Sequence, residues 1–332
     1  MKFPVFLALA LGTGAFTALL VYEGAGQVLE TFALAGWGVL VVAAFHLLPM
    51  LFDSAAMSVV MQRSPPRRRV IRARWIGEAV NGLLPVAQMG GPMVMARLLV
   101  RFGAGRADAG AAVVVSTTQQ MLSQAAFALI GLVALAAHAG DRKLLYALLI
   151  GMGLFGANAM WFYSLQKRGL FARLARLLNR FYSGREWLNF SGGAEALDAA
   201  VQVAYARPGV GLASFLLNLV GWIAGVGEVW LALGFLGHPV SLGDALMLES
   251  LGQAIRGIAF AIPGALGVQE GGYVLLGALV GLPPTAALAL SLMKRARELL
   301  LGVPALVYWQ IIEGRWMRSR MARTAAPVNR GS

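Results

Sequence analysis

The chain reads as an all-α polytopic membrane protein: about six spanning helices plus two re-entrant broken hairpins, arranged as an inverted-topology repeat. Three observations predict it. Runs of about 20 apolar residues recur, the length a helix needs to cross about 30 Å of hydrocarbon. Hydrophobic residues make up 58% of the 332, charged residues only 13%, and the mean hydropathy is +0.70, too apolar for a chain dissolved in water. Gly77-Glu78-Ala79-Val80-Asn81-Gly82 is echoed by Gly252-Gln253-Ala254-Ile255-Arg256-Gly257, and each copy runs through a proline (Pro85, Pro263) to a glycine pair (Gly90-Gly91, Gly271-Gly272). Polar, broken segments in corresponding places of two halves point to a substrate path. Long apolar runs without strict alternation exclude a barrel.

Composition removes several function classes. With no cysteine there is no disulfide, thiolate metal site or cysteine nucleophile. His46, His138 and His238 are too dispersed for a zinc site, so no metal is expected, and His46 reads as a satisfied core histidine. No Walker loop, Rossmann fingerprint or serine elbow is present, so neither a catalytic residue nor a cofactor is assigned and the chain is not expected to be an enzyme. The net charge of +13 points to cytoplasmic loops and anionic headgroups rather than nucleic acid.

The predicted spans are 3–22, 32–54, 108–137, 144–165, 209–236 and 285–310. Residues 1–22 carry no small-residue cleavage site and are read as a retained first span. The 23–31 loop has Glu23 and Glu30 without a cation and faces outward; Arg63, Arg67, Arg68, Arg69, Arg72 and Arg74 place the next loop in the cytoplasm. Lys167, Arg168, Arg173, Arg176, Arg180 and Arg185 place 166–207 there too, as does the arginine-rich tail, so both termini are expected to be cytoplasmic. Arg142-Lys143 is the one dissenting pair.

Residues 75–96 have basic flanks on both sides and contain Pro85 and Gly90-Gly91-Pro92. A crossing would put the basic 166–207 segment outside, so this stretch is predicted to enter and leave on the cytoplasmic side. Residues 244–282 do the same from the outer side, with an irregular middle over Ile262–Gly272. The halves, 1–137 and 138–332, then share one order of span, span, hairpin, span. Asp53 precedes Gly77 by the same 24 residues as Glu228 precedes Gly252. Ser116–Gln120 and Lys294–Glu298 occupy similar places in the third spans. Within 167–181, Leu170, Phe171, Leu174, Leu177, Leu178 and Phe181 form one face of a basic amphipathic helix expected on the cytoplasmic leaflet.

Charged side chains at membrane depth cost several kcal/mol unless paired or hydrated. Here they are Asp53, Glu78, Glu228, Glu249, Arg256, Glu270, Lys294, Arg295, Arg297 and Glu298. Either they pair with one another and pin the hairpins, or they line a wet cavity. In the second case Arg256, Lys294, Arg295 and Arg297 would attract an anionic headgroup, with Asn81, Glu78 and Glu270 beside them. Asp53, Glu228, Glu249 and Glu298 are then the candidates for a coupling ion. The glycine pairs and the two prolines serve as backbone breaks, or let helices approach. Gly221-x-x-x-Gly225 is a helix-contact signal.

Two stretches carry a family resemblance. Arg74-Trp75 with Glu78 through Gly91 and Ala96-Arg97-Leu98-Leu99 resembles the first signature of the flippase-like transmembrane domain of lysylphosphatidylglycerol synthases. Leu248 through Arg256, Ile262-Pro263-Gly264, Gly267 through Gly272, Ala287 through Leu292 and Lys294 through Leu299 resemble the second, closest to the hopanoid-associated HpnL-type branch. The resemblance implies a bacterial inner-membrane protein that moves a polar lipid or handles hopanoids, without the aminoacyl transfer of fused members. Its partners would be membrane lipids and lipid-biosynthetic enzymes; the oligomeric state is left open. Pro92, Ser116 and Gln120 stand where the family pattern has acids. The expected function is lipid translocation as a flippase or scramblase, the alternatives being a non-catalytic scaffold or a headgroup enzyme using Glu270 or Glu78 as base.

Overall fold

A computed structural model describes residues 24–61, 65–84, 90–139, 160–173, 185–259, 262 and 265–325, with isolated positions 14, 17, 18, 21, 22, 146, 150 and 157. For 137–139, 185–192, 258, 317 and 319–325 the backbone alone is described. Most of predicted spans 3–22 and 144–165, the later half of the amphipathic face and the breaks at Pro85 and Pro263 lie outside these residues.

The described residues form helices α1 (Ala25–Leu34), α2 (Gly38–Phe45), α3 (Leu47–Met61), α4 (Arg67–Leu83), α5 (Gly90–Arg101), α6 (Arg106–Ala139), α7 (Arg185–Ala206), α8 (Val210–Phe235), α9 (Leu242–Ile258), α10 (Val268–Leu279) and α11 (Pro284–Ala325). Gly38–Met61, Arg106–Ala136 and Val210–Phe235 are long and apolar enough to cross a membrane. The fold is that of an all-α polytopic membrane protein. Predicted span 32–54 is displaced to Gly38–Met61, because the chain turns at Ala35–Trp37 with Gly36 in the left-handed region (φ 45°). Predicted span 285–310 lies within α11, whose 42 residues reach about 63 Å at 1.5 Å per residue. Ala286, Ala287, Leu288, Ala289 and Leu290 are each no more than 1% exposed, so the start of α11 has no lipid-facing side and runs inside the bundle.

Both hairpins are present and open toward opposite ends. Arg69, at the start of α4, donates to the Phe102 carbonyl just beyond α5 (2.8 Å), so this hairpin leaves where it enters. That end also holds the start of α8, where Arg207 donates to the Val60 carbonyl at the end of α3. Arg97 of α5 pairs with Glu313 of α11, and the Arg101 guanidinium lies over the Trp316 ring at 5.0 Å, gathering the basic segments at one end. At the other end Gly38 abuts the Phe235 ring. The mouth of the α9–α10 hairpin is there: Val240 and Leu282 share a core with Leu236 and Ala35.

The glycines of the echo close the hairpins. Gly77 faces Met95 and the Gly91 carbonyl, and any Cβ on Gly91 would stand 2.5 Å from the Gly77 carbonyl oxygen. A Cβ on Gly252 would stand 2.9 Å from the Tyr273 ring, and one on Gly272 would stand 2.9 Å from Ile255. The first glycine of each echo and the second of each pair are therefore contact positions between arms. This corrects the expected breaks at Gly90, Gly91, Gly271 and Gly272. Gly90 and Gly91 open α5, and α10 restarts at Val268, so Gly271 and Gly272 are helical. Pro92 falls in the first turn of α5, where its missing N–H costs no helical bond.

In the 166–207 segment, Arg168–Gly169 is a turn, and the Phe171 and Ala172 N–H groups that follow it donate to Asp198 of α7 (3.1 and 2.5 Å). The Tyr205 hydroxyl donates to Gln166, which donates to Thr118 of α6 (2.8 and 2.9 Å). The segment is fastened to α6.

Gly252→Val is expected to lower stability by about 1–3 kcal/mol through overpacking. Gly271→Ala, whose Cβ meets nothing within 4 Å, should raise it by about 0.5–1 kcal/mol. Thermal unfolding in detergent separates the two.

Candidate functional site

Several elements of the membrane core bring ionisable groups to its centre. Pro49 has no N–H to give the Phe45 carbonyl, and the helix loosens there, between α2 and α3, at His46. Two turns further on, Asp53 lies on the same face. On α4, Arg74, Glu78 and Asn81 form a polar stripe at helical spacing, half-buried beside the buried Gly77 and Ala79. On α8, Glu228 follows Gly221 and Gly225 along one face. Gly221 has only hydrogens between it and Asp53 of α3, and Gly225 likewise faces Glu249 of α9, so both neighbours come close enough for Glu228 to be reached. α11 adds Lys294, Arg295, Arg297 and Glu298.

These groups form one connected network. Glu78 Oε1 lies 2.7 Å from His46 Nε2, and Glu228 Oε2 lies 2.7 Å from His46 Nδ1. Arg297 donates to the same Glu228 oxygen (2.9 Å) and its Nη1 lies against His46 Nδ1. Lys294 donates to Glu249 (2.6 Å) and stands 3.6 Å from Glu228; Gln253 donates to the other Glu249 oxygen (2.8 Å). Arg297 continues to Glu298 (3.6 Å), which accepts from Arg256 (2.6 Å) and faces Arg295 (3.4 Å). Arg295 also reaches Glu270 (3.1 Å). Glu228, Glu249, Glu270 and Lys294 are nearly or wholly buried. The network therefore joins the span at His46, both hairpins, α8 and α11.

Two expected site residues serve the hairpins themselves. Asn81 accepts from the Gly91 N–H (2.8 Å), satisfying a donor at the start of α5 that the helix leaves free. Glu270 accepts from the Gly267 N–H (2.7 Å) with one oxygen and from Ser291 (3.0 Å) and Arg295 with the other. It locks the restart of α10 onto α11.

Asp53 sits in a second, smaller cluster. Arg74 donates to it (2.6 Å), Gln120 donates to it (3.1 Å), and Arg74 also donates to Gln120 (3.1 Å). This accounts for Gln120 where the resemblance expected an acid: an amide both donates to Asp53 and accepts from Arg74, while a carboxylate would face Asp53 as a like charge. Asp53 and Arg74 are 21 residues apart, as are Glu228 and Glu249, and each pair is completed from the next long helix, by Gln120 or by Lys294. Thus the echo extends from sequence to geometry.

His46 and Arg74 were not among the expected site residues. The signal available for His46 was its place seven residues before Asp53; its partners, 182 and 251 residues away, leave no local trace. The four expected anion-binding cations, Arg256, Lys294, Arg295 and Arg297, all face carboxylates, so an incoming phosphate would have to displace one.

Removing Arg297 leaves Glu228 a buried carboxylate short of its guanidinium. Arg297→Met should cost about 3–5 kcal/mol, and Glu228→Gln combined with it should cost less than the sum of the two single changes. Unfolding midpoints of the three variants in detergent check this; strict additivity would contradict the pairing.

Residues 5–305 match the sequence model of the family described as "Lysylphosphatidylglycerol synthase TM region". No curated protein matches the chain.

Proposed function

The chain belongs to the lysylphosphatidylglycerol synthase transmembrane-region family, and from that premise we propose that it translocates a polar lipid between leaflets, as a flippase or scramblase. The observation that carries this reading is the paired charge network at the meeting point of two oppositely opening hairpins. A polar core of this kind offers a headgroup passage through hydrocarbon while the tails stay in lipid. Glu78 is its accessible member, with 39% of its side chain exposed, against 15% for His46 and 2% for Glu228.

In this reading the protein is not an enzyme, and it resides in the bacterial inner membrane with both termini cytoplasmic, the basic end of the bundle facing inward. Residues 1–137 and 138–332 are inverted repeats, which the opposed hairpins and the matching clusters around Asp53 and Glu228 support. The HpnL-type likeness makes hopanoids a cargo to test beside phospholipids, and lipid-biosynthetic enzymes are partners to seek. A second reading, a non-catalytic scaffold, is favoured by one observation: Lys294, Glu249 and Glu270 are buried and paired internally, as pinning groups would be.

Leaflet exchange in proteoliposomes with head-labelled phospholipid and hopanoid probes tests the proposal. The wild-type chain should accelerate exchange of at least one probe. Glu270→Gln should abolish or strongly slow it, and Glu78→Gln should slow it while leaving the unfolding midpoint within about 0.5 kcal/mol of wild type, as for a partly exposed site. Exchange equal to protein-free vesicles for every probe would shift the assignment to the scaffold.

A further inference from the structure

We propose that His46, held between Glu78 and Glu228, binds one exchangeable proton, and that this proton couples lipid movement to a proton gradient. The coupling rests on the translocation reading; the proton site does not.

The first argument is donor counting. Both ring nitrogens lie 2.7 Å from a carboxylate oxygen. A neutral imidazole has one N–H, and ionised carboxylates only accept. For both contacts to be hydrogen bonds, one more proton is needed, on the ring or on a carboxyl; without it the ring donates to one carboxylate alone, as when it donates only to Glu78 and Nδ1 faces Arg297 Nη1. The second argument is charge. The network holds one carboxylate more than it holds lysines and arginines, and at low dielectric an uncompensated charge is expensive. One proton at His46 closes that balance.

The third argument concerns what remains when the proton leaves. The Nε2 proton passes to the Glu78 carboxylate and from there to water, while Nδ1–H stays on Glu228. Glu228 is still neutralised by Arg297 at 2.9 Å. The carboxylate that loses its cation is Glu78, the most exposed of the three groups. Exposure falls from Glu78 through His46 to Glu228, so the site has an open end and a closed end. Departure also removes the His46–Glu78 ion pair between α4 and the Gly38–Met61 span, leaving Arg74–Asp53 as the ionic link between them, while the other hairpin stays held by Arg256–Glu298.

The groups facing His46 are Asp53 on its own span, Arg74 and Glu78 from α4, Glu228 from α8, and Arg297 from α11. Glu249 of α9 acts through Lys294. Arg297 opposes the proton and the two contacting glutamates favour it.

The chain has three histidines, so His138→Gln with His238→Gln leaves His46 alone for ¹⁵N-ring labelling of the full chain in phosphatidylethanolamine–phosphatidylglycerol nanodiscs. The expected spectrum is an imidazolium at neutral pH that converts to the neutral ring in one step as pH rises, with Glu78→Gln moving the midpoint down. A ring neutral throughout about pH 5–10, or charged throughout it, overturns the site. In proteoliposomes of the same lipids, one pH unit across the membrane should bias the direction of head-labelled lipid movement up to about tenfold. His46→Gln should remove that bias. A titrating His46 with lipid movement indifferent to the gradient overturns the coupling. A titrating His46 with no lipid movement overturns the translocation reading and its coupling, and leaves the proton site standing.

Discussion

Charge cannot be left alone in hydrocarbon, and this constraint organises the molecule. Five glutamates converge with three arginines, a lysine and a histidine at the centre of the bundle, and their ion pairs join different helices, apart from those of Arg295 and Arg297 with Glu298 within α11. The helices meet there because their charges have to. Small residues make the meeting possible: Gly221 and Gly225 bring α8 against α3 and α9, while Gly77, Gly91, Gly252 and Gly272 let the hairpin arms touch. Apolar packing elsewhere fills space. The network ties α4, α8, α9 and α11 to the His46 span, while α6 packs against α8 and α9 without joining it.

The clusters around Asp53 and Glu228 follow one plan with different charges. In one, Asp53 meets Arg74 directly and Gln120 mediates. In the other, the equivalent hairpin position is Glu249, so two acids face each other and Lys294 is needed between them. That substitution draws Lys294 to the interior, where it is 2% exposed. The first cluster is balanced and self-contained. The second is joined to everything around it, and only it extends to both hairpins.

Much of this was legible in the chain. Apolar runs located the long helices, and the echo identified the segments that fold as hairpins. Asp53 and Glu228 stood out as acids in apolar spans, and both proved central to a cluster. Boundaries were less legible. Glycine pairs look like helix breaks, yet α10 restarts before Gly271 because Glu270 caps the Gly267 N–H, an interaction set by tertiary contact with Ser291. His46 was invisible as a site residue because its neighbours in sequence are apolar and its partners are supplied by three other helices. Arg74 looked like one more loop charge, although it lies a full two turns inside α4.

The span of the network along the chain has a consequence for how the protein is made. Glu228 emerges from the ribosome 69 residues before Arg297, and His46 precedes that same arginine by 251. A carboxylate placed in hydrocarbon without its guanidinium is too costly to sit and wait. During synthesis, then, α8 must stay in a wet channel or carry its acid neutral until α11 arrives. α11 follows every other described helix in the chain and carries Lys294, Arg295 and Arg297, so the buried acids of α8, α9 and α10 gain these partners only after their own helices have been made.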